Sequence, residues 1–522
     1  MQRVTRIASL VFLIMWALVL FLDYWQKHPV YYFAIQHFRF WGLGIFLLLA
    51  TGGAAWLAHV IANRKKPLWY INGLSVLLLF LALGTICTGF AYNQTVQGKT
   101  FGAGHALHVF VQLAGTALAL AMIVTAAYTL GDLVNKRLKI NAKGTDETVL
   151  AFATGIMCIV LVMFLIGAVS LLYSFVLFPL FALLFLFGRK AAFRFLKISL
   201  WLPYPTDKHL HWAGGAGFFL LLVLMAVNFT SVNVPMPAGF DSLTLYANLP
   251  ALIGQHHGLV EGFQPYNWSL LMSLGHILFD SVKINLALSW LGGTLALYAL
   301  YALCRNWLRM NVNHTLWVLL VFALMPAFHI QASAELKVDL GLLFIYLSIL
   351  LVLLAYFTKT KTGAEDLRPE LVLMGLLSGF ALGTKLTTVY FALALVCGAW
   401  YLLHGSRGFF AAFLASLFLV FLFKIDEFGG LRQYHIGVEN MQWGLLAGAL
   451  LLLAGIFIEN RERMATSFRH TLLYGAFAAL PFLPWMAKNY VDSGSLSPQV
   501  LLNGIQPSPD IHLQKLEKGF DQ

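Results

Sequence analysis

Asp241 is the residue of this chain that is hardest to explain as packing. It follows an apolar span at 212–230, and Pro235, Pro237 and Gly239 interrupt any helix before it. A carboxylate held at a membrane surface can act as a general base that takes the proton from a substrate hydroxyl. The alternative is structural, because Asp is a favoured N-cap and would begin a helix here. The two roles are compatible.

Two further carboxylates, Glu335 and Asp339, lie where the apolar span at 339–357 begins. A negative charge is favoured at a helix N-terminus, so Asp339 also has a structural interpretation. If that helix begins early, Glu335 lies one turn before Asp339 on the same face. The two could then bind a divalent cation or orient an acceptor. Both are therefore candidate catalytic residues beside Asp241.

Lys385 lies between two apolar spans, where a charge is costly unless it meets an anion or reaches the interface. A lipid phosphate is a suitable partner for it. The other candidate substrate-binding residues are two aromatic side chains for a sugar or lipid and three cationic ones for phosphate: Tyr246, Trp268, Arg432, His435 and Lys488.

A metal site is suggested only by composition. His256, His257 and Glu261 are metal-ligand types, but their spacing specifies no coordination geometry. Solvated loop residues are the favoured interpretation. A divalent cation stays open, and the sequence indicates no other cofactor.

The elements that must position these residues are membrane helices. The chain has 522 residues, 60% hydrophobic and 11% charged, with a mean hydropathy of +0.78. Soluble domains carry about 25% charged residues, and the alternation of a barrel is absent. We predict an all-α polytopic transmembrane helix bundle of about fifteen spans: 7–23, 40–62, 68–92, 106–130, 148–167, 170–187, 212–230, 284–304, 314–329, 339–357, 370–383, 386–403, 408–424, 443–458 and 471–487.

Charge patterning orients the bundle. With the N-terminus inside, the basic clusters at 64–66, 189–190 and 461–463 all fall on the inner side, as the positive-inside rule requires. The C-terminus, Asp241 and Asp339 then lie outside. The net charge of +12 is spread over short loops near anionic lipid, so it does not indicate nucleic acid.

The chain divides into three predicted regions. Residues 1–210 form a six-span membrane region of unknown role, which ends in a basic, aromatic interfacial helix at 189–208. Residues 211–424 form a membrane core with an outer loop at 231–283, and 425–522 hold two more spans and an outer tail. Within the loop, a helix over 241–257 would place Leu245, Leu249 and Leu252 on one face and is predicted to lie flat on the membrane. The segment 268–279 is too short to span and is also predicted to lie on the membrane surface.

Several motifs in this order resemble those of bacterial multi-spanning glycosyltransferases of the C-type (GT-C) superfamily, relatives of protein O-mannosyltransferases and aminoarabinose transferases. The first is Phe-Asp-Ser-Leu-Thr-Leu-Tyr-Ala-Asn-Leu-Pro at 240–250, followed by Gly-Leu-Val at 258–260 and Asn-Trp-Ser at 267–269. Lys-Val-Asp-Leu-Gly at 337–341, Gly-Phe-Ala-Leu-Gly-Thr-Lys-Leu-Thr at 379–387 and Pro-Trp-Met-Ala-Lys-Asn-Tyr at 484–490 complete the set. The resemblance covers about 211–510. Leu245-Tyr246 in place of Tyr-His, Lys488 in place of Arg and Gly494-Ser-Leu in place of Gly-Asn-Pro depart from the pattern.

The resemblance implies transfer of a sugar from a polyprenyl-phosphate-linked donor to a lipid, glycan or protein acceptor. It places the protein in the plasma (inner) membrane, with its active site facing the periplasm or the cell exterior. The sequence leaves open a transporter or flippase of lipid-linked saccharides and a non-catalytic assembly subunit. A transporter should bury charges along a path at mid-membrane. Such mid-span charges are nearly absent here, which favours the transferase.

Overall fold

The computed structural model describes residues 14–15, 73–95, 102–201, 212–231, 242–261, 265–333, 335, 337–361, 367–422 and 438–494. Asp241, Arg432, His435 and the predicted spans 7–23 and 40–62 lie outside these ranges, apart from residues 14 and 15.

The described elements are all helical, as the apolar composition predicts. The α-helices are α1 (Gly73–Thr95), α2 (Ala103–Arg137), α3 (Thr145–Gly167), α4 (Ser174–Phe187), α5 (Arg189–Leu196), α6 (Trp212–Thr230), α7 (Asn248–His256), α8 (Asn267–Met272), α9 (Leu274–Phe279), α10 (Val282–Ala302), α11 (Val312–Ala323), α12 (Pro326–Ser333), α13 (Asp339–Lys361), α14 (Arg368–Leu382), α15 (Thr388–Leu422), α16 (Val438–Glu459) and α17 (Arg461–Ser493). Three π-helical segments, Lys197–Trp201, Ser242–Ala247 and Leu303–Trp307, adjoin α5, α7 and α10.

Within the described residues, seven helices are long and apolar enough to cross a membrane, or up to nine if two bent pairs each count as one span. The chain is therefore a helical membrane protein, and the predicted number of fifteen spans is not confirmed. Part of the difference lies in α4, which is 14 residues long, contains Pro179 and meets the basic amphipathic helix α5 at 84°.

The region from 370 to 422 shows how the chain reverses direction. Residues 383–387 separate α14 from α15, so the spans predicted at 370–383 and 386–403 are two separate helices. Inside α15, Gly405 has φ 65° and ψ −152°, a conformation that favours glycine. The contact between Cys397 and Ser416, 3.8 Å between Sγ and Oγ, shows that the chain folds back on itself at this break.

Polar contacts sort the helix ends into two groups. Arg194 of α5 meets Asp132, near the C-terminal end of α2, at 2.6 Å. Asn306, in the segment Leu303–Trp307 that follows α10, meets Asp146 at the start of α3 at 2.7 Å. Ser289 donates to the Lys337 carbonyl at 2.9 Å, and Gly292 abuts Gly341, so α10 and α13 run parallel. Their C-terminal ends share one end of the bundle, here the basic end, and α7, α8 and α9 lie at the opposite, loop end.

The two loop segments differ from the prediction that they lie on the membrane surface. Leu249 and Ile253 of α7 are buried in the protein core. Every residue of α8 is buried, as are Leu274, Gly275, Ile277 and Leu278 of α9. The prediction for 268–279 is therefore wrong. A helix too short to span can also be enclosed by longer neighbours, which then provide its apolar surroundings.

Cysteine labelling checks which end faces outward. In a background without the four native cysteines, we expect a membrane-impermeant maleimide to label His256→Cys, at the loop end, in intact cells. We expect Arg137→Cys, at the basic end, to react only after permeabilisation, because loops rich in Lys and Arg stay on the inner side. Both positions are exposed in the structure. Labelling in the reverse order would contradict the predicted orientation.

Candidate functional site

The buried helix α8 joins segments that are far apart in the sequence. The side-chain amide of Asn267 donates to the Phe380 carbonyl at 2.8 Å, and its amide oxygen accepts from the Trp485 indole at 2.8 Å. Its backbone N–H donates to the Gly383 carbonyl at 2.8 Å. Asn267 is fully buried, where a polar group is stabilised only if it is hydrogen-bonded. Asn267 therefore fixes the ends of α14 and α17 to α8.

Trp268 extends these contacts to α10 and α13. Its indole is fully buried and lies against Gly341 and Gly292. A Cβ added at Gly341 would come within 2.2 Å of the ring. Trp268 was predicted to contact a sugar or lipid. In this structure its surface is occupied by helix packing.

An ion pair between Lys385 and Asp339 lies beside these contacts. The Lys385 Nζ is 2.7 Å from Asp339 Oδ1, and the two side chains are 41% and 30% exposed. Asp339 is the first residue of α13 and Lys385 lies two residues beyond Gly383. The helix N-terminus favours the Asp339 carboxylate, and the partial exposure leaves both groups open to a ligand. The structure therefore brings together two of the predicted site residues.

Glu335 forms a separate ion pair, with Lys337 at 2.7 Å, and both side chains are about one quarter exposed. Because α13 begins at Asp339, the early start that would have placed Glu335 on its first turn does not occur. Within the described residues, no group of three or more His, Cys, Asp and Glu side chains is arranged to hold a metal ion.

Lys488 pairs with Asp492, one turn later in α17, and both side chains are less than one tenth exposed. Their neighbour Tyr266 packs on Trp485 with the ring centroids 4.6 Å apart. Burial raises the pKa of the Tyr266 hydroxyl, and the nearby Asp492 carboxylate raises it further. Tyr266 therefore stays protonated at neutral pH. Sequence reasoning missed Asp492, although its i,i+4 spacing from Lys488 is a signal for a helical ion pair.

The remaining candidates within the described residues lie in or after α7. Tyr246 is half-buried in the π-helical segment Ser242–Ala247. His257 has a left-handed backbone with φ 52°, lies 3.2 Å from the Leu172 carbonyl through Nδ1, and stacks on Tyr173 with the ring centroids 3.8 Å apart. His257 thus joins the end of α7 to the segment between α3 and α4.

The site is therefore a partly exposed ion pair supported by a buried frame. The frame consists of Asn267, Trp268, Gly341, Gly383 and Trp485, and all five belong to motifs selected from the sequence. No family model, no curated protein and no solved structure matches the chain. The assignment of function thus depends on the residues themselves.

Proposed function

We propose that this protein is a membrane glycosyltransferase of GT-C type. It moves a sugar from a polyprenyl-phosphate-linked donor to a lipid, glycan or protein acceptor at the loop end of the bundle. Asp241 is the general base and Lys385 contacts the donor phosphate. The proposed location is the plasma membrane, with the loop end facing outward.

One observation carries the proposal: the motifs that suggested it meet in space. Trp268 packs on Gly341, Asn267 bonds to Phe380 and Trp485, and Lys385 pairs with Asp339. The motifs at 267–269, 337–341, 379–387 and 484–490 are separated by up to 218 residues in sequence. A set of unrelated chance matches has no reason to converge on one short helix, so the convergence supports a single site.

The proposed reaction uses these charges as follows. The acceptor oxygen attacks the anomeric carbon of the donor sugar while its O–H proton passes to the Asp241 carboxylate. The bond from that carbon to the phosphate oxygen breaks, and polyprenyl phosphate leaves with the electron pair. The ammonium of Lys385 stabilises the negative charge on the leaving phosphate. Asp339 holds that ammonium in place before the donor arrives.

The competing transporter hypothesis receives less support. Among the described residues, the buried charges Asp132, Glu370 and Lys488 each lie near a helix end and pair with a neighbouring opposite charge. A translocation path for a charged headgroup needs polar partners at mid-membrane depth. Buried charges that lie only near helix ends leave no such path among the described residues.

A transfer assay tests the proposal directly. Purified protein in lipid vesicles is given a panel of radiolabelled polyprenyl-phosphate sugars together with a membrane extract as the acceptor source. We expect label to pass from at least one donor to an acceptor without added nucleotide. If the label only crosses the bilayer and stays on its polyprenyl carrier, the protein is a flippase.

Lys385→Ala is expected to raise the KM for the donor or lower kcat/KM by roughly tenfold to a hundredfold. This range corresponds to one hydrogen bond to a charged group, about 1.5–3 kcal/mol. The fold should persist, because a partly exposed ion pair contributes only about 0–1 kcal/mol. Steady-state kinetics with the active donor measures the effect.

Lys283→Ala is the matched control for this variant. Lys283 lies at the same end of the bundle and contacts Gln112 at 3.2 Å, outside the frame around α8. Its loss should leave kcat/KM unchanged. Equal losses in the two variants would mean that Lys385 acts through general surface charge and not through a phosphate contact.

A further inference from the structure

An apolar cavity lies between α15, α16 and α17, away from the site at the loop end. Its volume is about 370 Å³, within the range of roughly 300–1,000 Å³ that is typical of small-molecule sites. Its walls are mostly apolar and include Ala392, Ala411, Ala412 and Ala415 of α15, Leu453 of α16 and Phe468 of α17.

The few polar groups in the cavity wall are bonded to one another or to neighbours. The Trp400 indole donates to Thr471 Oγ1 at 3.0 Å, and the Tyr474 hydroxyl donates to Ser378 at 2.9 Å. A buried water needs two to four polar partners, and a cavity without them stays dry. The chemistry of the walls therefore fits a hydrocarbon chain.

Arginines continue the cavity walls towards the basic end. On α17, Arg461, Phe468 and Gly475 are spaced by seven residues and share one helix face. On the second arm of α15, Arg407 lies four and eight residues before the wall residues Ala411 and Ala415. Two of the three wall helices, α15 and α17, thus carry an arginine in register with the cavity.

The near end of the cavity lies within one leaflet of the charge. At 1.5 Å per residue, Arg461 lies about 11 Å along α17 from Phe468 and about 21 Å from Gly475. The hydrocarbon region of a single leaflet is about 15 Å thick, half of the 30 Å core. An acyl chain that starts near Arg461 therefore reaches the cavity without leaving its leaflet.

We propose that an anionic phospholipid of the leaflet at the basic end binds here. Its phosphate contacts Arg407 and Arg461, and one acyl chain fills the cavity. Arg407 pairs with Glu459, but both side chains are about 60% exposed, so the guanidinium is accessible to a headgroup. Arg461 lies over the Phe457 ring at 5.5 Å. Basic pockets between membrane helices recognise anionic headgroups in this way.

Native mass spectrometry of the purified protein tests the proposal. Dioleoylphosphatidylglycerol and dioleoylphosphatidylcholine have the same chains and different headgroups. We expect one phosphatidylglycerol to bind at concentrations where phosphatidylcholine does not. The double variant Arg407→Gln, Arg461→Gln should lower the phosphatidylglycerol affinity by roughly tenfold or more, which is the expected effect of two interfacial cations. Gly475→Leu should weaken binding of both lipids, because Gly475 lines the cavity and a Cβ added there meets no neighbour within 4 Å, which leaves room for a leucine to occupy the cavity.

Two control variants separate the site from general effects. Arg469→Gln removes an exposed arginine of α17 that lies on another face, and Gly444→Leu adds bulk at an exposed glycine of α16 outside the cavity. Neither should change lipid binding. The proposal is wrong if phosphatidylglycerol binds no more tightly than phosphatidylcholine, or if Arg469→Gln weakens it as much as the double variant does. Leu453→Phe fills the cavity from α16, as Gly475→Leu does from α17. The proposal is also wrong if both of these variants leave lipid binding unchanged.

Discussion

Asp241→Asn is expected to lower sugar transfer by at least about a hundredfold while leaving the amount of folded protein unchanged. Asn has nearly the same shape as Asp and caps a helix about as well. The substitution removes only the anionic oxygen that accepts the acceptor proton. A general base typically contributes about 10²–10⁴-fold in rate. The measurement is kcat in the transfer assay, together with donor affinity, which should stay near the wild-type value.

Asp280→Asn is the matched control for Asp241→Asn. Asp280 is an exposed carboxylate of the same loop region with a left-handed backbone, φ 46°, which Asn also tolerates. Its replacement should leave transfer unchanged. If Asp241→Asn keeps activity within a few-fold of wild type, Asp241 is only a cap. Asp339→Asn is then the next variant to measure, since the Asp339 carboxylate is the one that pairs with Lys385 among the described residues.

Gly341→Ala should disrupt the frame around α8 and destabilise the protein by about 1–3 kcal/mol, the usual cost of adding one methyl group to a filled core. The new Cβ would lie 2.2 Å from Cε2 and 2.3 Å from Cδ2 of Trp268. The indole is rigid and fully buried, so it cannot move aside without displacing α8. Because Asn267 follows any movement of its neighbour Trp268, transfer activity should fall together with the thermal unfolding temperature.

Gly115→Ala provides the comparison for Gly341→Ala. Gly115 is an exposed glycine inside α2, and a Cβ there meets nothing within 4 Å. Ala is favoured over Gly in a helix by roughly 0.5–1 kcal/mol, so the unfolding temperature of the Gly115→Ala variant should stay the same or rise.

A double variant tests the contact between Gly341 and Trp268. Trp268→Leu combined with Gly341→Ala should lower the free energy of unfolding by less than the sum of the two single changes, since the smaller side chain removes the clash. Strict additivity would show that Gly341 and Trp268 do not act on each other.

The helical, membrane-spanning character of the chain was predictable from the sequence. The 74° bend between α11 and α12, inside the predicted span 314–329, and the burial of α8 were not. Apolar stretches predict membrane helices because the backbone must bond internally in lipid. Side chains that face lipid and side chains that face other helices are equally apolar, however. The hydropathy of the residues around Trp268 therefore does not indicate whether Trp268 faces lipid or other helices. The short length of 267–279 suggested a surface location, whereas longer helices enclose it.

The candidate site was predictable as a set of residues but not as a set of contacts. Lys385 and Asp339 were both selected, and the structure shows them paired. Glu335 was grouped with Asp339 on the assumption of an early helix start, yet it pairs with Lys337. Asn267 and Trp485 were selected only as members of the motifs at 267–269 and 484–490, with no contact predicted between them. Hydrogen bonds between residues 218 positions apart leave no local pattern in a single sequence.

The three bonds of Asn267 also set the order in which the protein can mature. A membrane protein is synthesised from its N-terminus, so α8 is made before α14 and long before α17. During that interval the Asn267 amide lacks both the Phe380 carbonyl and the Trp485 indole, and an unsatisfied amide is costly in a nonpolar environment. Water or a transient partner must hold it until residue 485 has been inserted. The frame around α8 is therefore completed only when α17, the last described helix, has entered the membrane.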